Sequence, residues 1–128
     1  MKRYCIIGAG PSGLAAARAL AEAGLAFDVY ERHADVGGIW DAENARTPIY
    51  ESAHFISSRT QSAFDGFPMP DDYPDYPSWR QILDYIRSFA DKYDLRKHIA
   101  FNSVVDRVER DGDDWLVTVG GTGMHRYD

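Results

Sequence analysis

Three glycines, Gly8, Gly10 and Gly13, directly follow the apolar run Tyr4–Ile7 near the start of the chain. In this spacing the first glycine permits a tight turn, the second lets backbone N–H groups approach a pyrophosphate, and the third lets a helix pack close to a strand. A second apolar run ends at Glu31, whose carboxylate can accept hydrogen bonds from ribose hydroxyls. The pattern predicts a dinucleotide-binding site.

The residues around these glycines predict the strand, helix and strand that would hold such a site. Pro11 and Ser12 stand where the helix would begin, and they join the candidate binding residues because a helix N-terminus favours a phosphate. Alanine, the best helix former, dominates residues 14–23, and a glycine follows as the stop. A second strand then runs over Phe27–Tyr30 to Glu31. The alternative is a buried alanine-rich helix after a turn, with Glu31 merely exposed.

A second glycine cluster, Gly37-Gly38-Ile39-Trp40, follows closely and indicates which dinucleotide would bind. Two adjacent glycines offer another stretch of backbone that can approach a phosphate or a ring. FAD is the longer molecule and has to be held at its adenosine, its pyrophosphate and its isoalloxazine, whereas a nicotinamide site has no use for this cluster. We therefore expect FAD, with Gly38, Ile39 and Trp40 among its binding residues. The alternative for Trp40 is a core tryptophan.

With Glu31-Arg32 and Gly37-Gly38-x-Trp40 behind the first glycines, the chain resembles the N-terminal FAD-binding region of flavin-containing monooxygenases, the class B flavoprotein monooxygenases, and their Baeyer–Villiger relatives. The resemblance continues in the family's order through Phe67-Pro68-Met69-Pro70, Tyr73-Pro74-Asp75-Tyr76-Pro77, a helix from Trp79, Tyr93-Asp94-Leu95 and Ile99-Ala100-Phe101. It covers nearly the whole chain.

The resemblance implies contacts to each part of FAD. The three glycines of the first cluster would contact the pyrophosphate, with Glu31 at the ribose and Arg32 at the adenosine side. On the flavin side the contacts would come from Gly38 and Trp40. Just before the Phe67 segment these monooxygenases often carry a Thr-Asn pair whose asparagine lies beside the flavin, and Ser58 stands at its position. A serine hydroxyl lacks the paired donor and acceptor of an amide, so the catalytic residues stay unknown.

The family's activity is implied in the same way. NADPH, the cosubstrate of the full-length enzyme, would reduce the flavin, and one oxygen atom of O₂ would pass to a small substrate with a soft nitrogen or sulfur, or to a ketone. The chemistry belongs to the cofactor, and the protein contributes binding, orientation and exclusion of water. Two other functions remain open. The chain could be a non-catalytic or degenerate FAD-binding module, or, less in keeping with the second glycine cluster, an NAD-type dehydrogenase domain.

Downstream segments predict the rest of an α/β domain. Residues 41–78 are rich in Pro, Asp, Ser and Tyr and have no sustained period, so we expect an ordered excursion. Ser78 and Gln81 match a capping box, and the helix that they open carries an apolar stripe at helical spacing, which we interpret as core.

Three further strands are predicted near the end of the chain. Ile99 and Phe101 indicate a short buried strand, and Val104–Arg110 and Trp115–Val119 indicate two strands joined by a turn. Residues 125–128 resemble the approach to another strand. The fold class is therefore a Rossmann-like FAD-binding domain, a parallel sheet with helices and a small antiparallel appendage.

Composition narrows the classes of partner. The formal net charge of −6 argues against nucleic acid or an anionic membrane surface, and no apolar stretch is long enough to span a bilayer. The first strand begins almost at once, so we expect no signal peptide, and a single cysteine, Cys5, excludes a disulfide within this sequence. A cytoplasmic location follows as the default. The four histidines have no metal-ligand spacing, so no metal site is expected.

The domain organisation is expected to be incomplete. Flavin-containing monooxygenases place a second glycine fingerprint, for NADPH, in a separate domain, and none occurs in this sequence. We therefore expect residues 1–128 to be the FAD-binding domain, the N-terminal part of a longer two-domain flavoprotein, or else a naturally short product. Without a neighbour on its other side, the first strand would present an open sheet edge, which predicts self-association.

Overall fold

A parallel sheet holds together the two parts of the candidate site, the glycine turn after the first strand and Glu31 after the second. The computed structural model describes residues 2–128. Strands β1 (Arg3–Ile7), β2 (Ala26–Tyr30) and β3 (Ile99–Ala100) pair in parallel in the order β1-β2-β3. Since β1 and β2 pair in register over their whole length, the turn after β1 and Glu31 after β2 leave the sheet at the same carboxyl edge. Ligands of open α/β sheets bind at this edge.

Two helices pack on this sheet. Helix α1 (Pro11–Glu22) follows β1, and helix α2 (Trp79–Lys92) begins at the predicted capping box, in which Ser78 and Gln81 bond reciprocally. The alanine-rich segment predicts α1 correctly to within a residue at its end, where Gly24 adopts a φ of 67°. The predicted stripe of α2 is buried against α1 and β2. Among residues 2–128, no helix is both long and apolar enough to cross a membrane.

The excursion at residues 41–78 is ordered, as predicted. It consists of turns and two isolated bridges, and it packs against α2. The hydroxyl of Tyr85 on α2 accepts a hydrogen bond from Phe64 N at 2.8 Å and donates one to the carbonyl of Phe67. The rings of Phe64 and Phe67 each stack on the ring of Tyr85. This aromatic cluster attaches the excursion to the core.

A three-stranded antiparallel sheet completes the fold. It comprises β4 (Val105–Asp111), β5 (Asp114–Val119) and β6 (Gly123–Tyr127), in the order β4-β5-β6. The first two strands match their predicted ranges to within a residue at each end. The prediction missed β6, because its sequence does not alternate between apolar and polar residues as a strand with one buried face would. A histidine occupies an inward position, and the apolar Met124 occupies an exposed, outward position.

Buried hydroxyls join the two sheets. The Tyr127 hydroxyl donates to Asp28 Oδ2 at 2.8 Å and lies 2.7 Å from the Tyr30 hydroxyl. Burial, followed by the hydrogen bonds to Tyr30 and Asp28, raises the pKa of Tyr127. Nearby, Asp128 N donates to the Arg3 carbonyl at 3.1 Å, so the end of β6 covers the start of the free edge of β1. Self-association through the rest of that edge stays a prediction.

Cys5 lies in the middle of β1 and is half-buried. Burial in the first place, and the Asp28 carboxylate in the second, raise the pKa of its thiol to about 11. The thiol is therefore protonated near neutral pH, in agreement with a packing role rather than nucleophilic chemistry.

Candidate cofactor-binding site

The turn after β1 has the geometry that its glycines predict. Gly8 has a φ of 101°, and its N–H donates to the Tyr30 carbonyl at 2.8 Å, which joins the ends of β1 and β2. A Cβ on Gly13 would lie 2.0 Å from the carbonyl oxygen of Gly8. Only a hydrogen atom fits there, so the third glycine lets α1 pack directly on the turn.

The two glycine clusters meet through their backbones. A Cβ on Gly38 would lie 3.0 Å from the Cα of Gly10, and Gly38 has a φ of 59°. The N–H of Gly37 donates to the Ala9 carbonyl at 3.1 Å. Gly38 also opens a 3₁₀ helix that runs to Trp40. The structure thus brings the two predicted binding motifs together into one continuous backbone surface.

Glu31 is a buried carboxylate with spare acceptor capacity. Its residue is only 5% exposed, and its Oε2 accepts a hydrogen bond from Ala9 N at 3.3 Å. Among residues 2–128 this is the only hydrogen bond to the Glu31 carboxylate. Because buried carboxylates normally accept several hydrogen bonds, the remaining lone pairs are available to a ligand.

A cavity of about 350 Å³ opens between these groups. Its wall contains six of the predicted binding residues, Gly8, Gly10, Glu31, Arg32, Gly38 and Ile39. Helix α1 begins beside the cavity, directly after its N-cap residue Gly10, and has no side-chain cap and no acidic residue in its first turn. The unpaired N–H groups of that turn favour an anion. The volume lies at the low end of the range for small-molecule sites.

Other predicted residues lie outside the cavity wall. Residues 11–13 form the first turn of α1, behind Gly10. Trp40 packs edge-on against Phe55, with ring centroids 4.9 Å apart, and contacts the hydrophobic core. The Ser58 hydroxyl lies 3.3 Å from Thr60 Oγ1 within a turn of the excursion. The wall therefore contains most of the residues predicted for the adenosine and the pyrophosphate, together with Gly38 and Ile39, but not Gly13, Trp40 or Ser58.

The structure adds residues that sequence reasoning missed. Asn44 Nδ2 donates to the Gly38 carbonyl at 3.4 Å, and Asn44 Oδ1 accepts from Arg46 N at 3.2 Å. This turn carries Arg46 into the cavity wall, where Ser103 also lies. In the described part of the chain neither Arg46 nor Arg32 forms an ion pair with a carboxylate. No sequence signal distinguishes Arg46, because only the turn places it there.

Comparison with known proteins is consistent across sequence and structure. A family model described as flavin-binding monooxygenase-like matches residues 1–121. The rat protein dimethylaniline monooxygenase (N-oxide-forming) 2 is 36% identical over 98% of this chain and 25% of its own length. A flavin-containing monooxygenase from Stenotrophomonas maltophilia superposes with a TM-score of 0.81 at 28% identity, over 97% of this chain and 36% of that one.

A third match, an oxidized steroid monooxygenase bound to NADP, superposes with a TM-score of 0.83 at 25% identity, over 96% of this chain and 24% of that chain. The chain spans about a quarter of the length of the curated relatives that it matches.

Proposed function

This chain belongs to the flavin-binding monooxygenase-like family, and from that premise we propose that residues 1–128 are the FAD-binding domain of a flavin-dependent monooxygenase. They would form the N-terminal part of a longer, two-domain flavoprotein. The full protein would be an oxidoreductase that takes NADPH as its reductant and a small molecule as its substrate.

The contact between Gly10 and Gly38 carries this proposal. A side chain at Gly38 would fill the space between the two loops, since its Cβ would lie 3.0 Å from the Cα of Gly10. The first loop alone would suit any dinucleotide, whereas a second glycine loop against it extends the bare backbone surface toward a longer cofactor. The buried carboxylate of Glu31 in the same wall fits the adenosine ribose. These residues therefore fit FAD.

The residues of the wall would each hold one part of the cofactor. The N–H groups at the start of α1 would donate to the pyrophosphate, and Glu31 would accept hydrogen bonds from both ribose hydroxyls. Arg32 and Arg46 would bring positive charge to the site in a chain whose net charge is −6. Bound FAD would supply the redox and oxygen chemistry, while the chain positions it and excludes water.

The substrate class rests on relatives. The rat relative is named for N-oxide formation, and the steroid monooxygenase is described as bound to NADP. From these relatives we propose that the full protein catalyses an NADPH-dependent oxygenation. Its substrate would be a small soft nucleophile, oxygenated at nitrogen or sulfur, or a ketone. The cytoplasmic location stays a prediction from the sequence.

A non-catalytic FAD-binding module is the second candidate. It is favoured by the position of Trp40 against Phe55, because the cavity wall then contains no predicted flavin-side aromatic residue. The two candidates share the site and differ in turnover.

Oxygen uptake by the purified full-length protein tests between them. For a monooxygenase we expect NADPH to reduce the flavin under anaerobic conditions, which abolishes its visible absorbance. In air we expect oxygen to be consumed when a tertiary amine, a thioether or a ketone is supplied. A control reaction with NADH shows the preference for the reductant. Stoichiometric FAD that NADPH never reduces would exclude the monooxygenase and leave the binding module.

A further inference from the structure

A cluster of charged side chains, of which Asp41 is buried and Asp35 and Arg87 are partly buried, lies beneath the second glycine cluster. Asp35 and Asp41 flank Gly37-Gly38 in sequence, and Arg87 of α2 reaches both of them. Its Nε lies 3.1 Å from Asp35 Oδ2, and its NH2 group donates to Asp41 Oδ2 at 3.0 Å. A single guanidinium therefore joins the two ends of the loop that contains the glycine pair, which we call the glycine-pair loop (residues 35–41).

Further partners hold each carboxylate in place. Asp41 is 2% exposed, and its Oδ2 also lies 3.0 Å from His33 Nε2. Asp35 Oδ1 lies 2.5 Å from a terminal nitrogen of Arg96 and accepts from Val36 N at 2.7 Å. Burial alone would raise the pKa of Asp35, but the hydrogen bonds from Arg96 and Val36 and the charge of Arg87 outweigh it and lower the pKa. Asp35 is therefore an anion at neutral pH.

Helix α2 also contacts the loop through an apolar side chain. A Cβ on Gly37 would lie 2.5 Å from Leu83 Cδ1, so the loop lies directly on the helix. On its other side the loop places Gly38 against Gly10. Helix α2 thus fixes the glycine-pair loop, and the loop forms one side of the cavity. Arg87 itself does not line that cavity.

We propose that Arg87 is a positioning residue for the cofactor, which holds the glycine-pair loop in its binding conformation before FAD arrives. A loop that is ordered in advance does not lose conformational entropy on binding, so affinity rises without any new contact. Positioning accounts for the ion pair between the partly buried Arg87 and the buried Asp41 better than stability does, because replacing a buried ion pair by apolar residues is often neutral. The ligand in this inference rests on the proposed function, whereas the ordering of the loop does not.

Arg87→Gln in the full-length protein tests the inference, with Arg80→Gln as its matched control. Arg80 lies on the same helix and pairs with Glu51 at 2.8 and 3.0 Å, on the surface and away from the loop. At a temperature well below the melting point of each variant, we expect Arg87→Gln to raise the Kd for FAD about tenfold or more. Amide exchange in residues 36–40 of the apoprotein should speed up as well. Arg80→Gln should change neither quantity by more than about twofold.

Arg87→Lys provides a second variant if the glutamine variant does not fold. Lysine keeps the charge but cannot span two carboxylates with a planar fork, so we expect a Kd between those of the wild type and Arg87→Gln. A folded Arg87→Gln or Arg87→Lys protein with wild-type FAD affinity and wild-type exchange in the loop would overturn the inference. If the wild type itself does not bind FAD, the proposed function fails, and the exchange measurement still decides whether Arg87 orders the loop.

Discussion

Replacing Gly10 with alanine is expected to remove most FAD affinity from a protein that still folds. A Cβ at Gly10 would meet no atom of the chain closer than 3.6 Å, so the fold has room for a methyl group. The same methyl would stand in the cavity wall, where on the proposed function the pyrophosphate would approach the backbone. A steric cost of about 1–3 kcal/mol corresponds to a roughly 5- to 150-fold weaker Kd, and valine should weaken binding further. Titration of the apoprotein with FAD measures the effect.

Gly13→Ala is the comparison variant. For this variant we expect a loss of stability, whereas Gly10→Ala should keep its stability and lose FAD affinity. The Cβ at Gly13 would lie 2.0 Å from the Gly8 carbonyl oxygen, so the substitution should lower the free energy of unfolding by about 3 kcal/mol. This loss would occur although alanine is the better helix former by about 1 kcal/mol. Thermal unfolding distinguishes the two variants. If Gly10→Ala bound FAD as tightly as the wild type, the turn after β1 would not be the pyrophosphate site.

Glu31→Ala is expected to separate FAD from FMN. Two charge-assisted hydrogen bonds to the adenosine ribose, at roughly 1.5–3 kcal/mol each, would be lost, which corresponds to a Kd for FAD about 100-fold weaker or more. FMN has no adenosine ribose, so its affinity should be unchanged. Parallel titrations with the two flavins provide the measurement.

Glu31→Gln serves as the conservative variant, because the amide keeps the shape of the side chain and can still accept a hydrogen bond from Ala9 N. We expect it to lose part of the FAD affinity only. Equal losses for FAD and FMN in Glu31→Ala would show that the carboxylate supports the fold and does not recognise the ribose.

Local chemistry made much of the fold predictable. The first glycine cluster predicts the turn because only glycine adopts the φ of 101° at Gly8 and only a hydrogen fits at Gly13. Ser78 and Gln81 predict the start of α2 because a capping box acts within four residues. Glu31 is placed by the end of β2, and its burial in the wall of a cavity follows from that position.

Contacts between distant segments were not predictable in the same way. Arg46 reaches the cavity only because Asn44 bonds both to Gly38 and to the backbone of Arg46. Arg87 shows no difference in sequence from the other charged residues of α2, since its partners lie more than forty positions away. For Trp40 the sequence pattern fits two different roles. An aromatic residue after a glycine pair could contact a flavin or pack in the core, and in the structure it packs against Phe55.

The visible absorption spectrum of the purified full-length protein tests the central claim most directly. Bound oxidised flavin absorbs at ~450 nm, and neither a nicotinamide nor an empty site does so. We predict this band at one flavin per chain, with FAD rather than FMN released when the protein is denatured. A folded protein that shows no such band, and that gains none after incubation with excess FAD, would contradict the account.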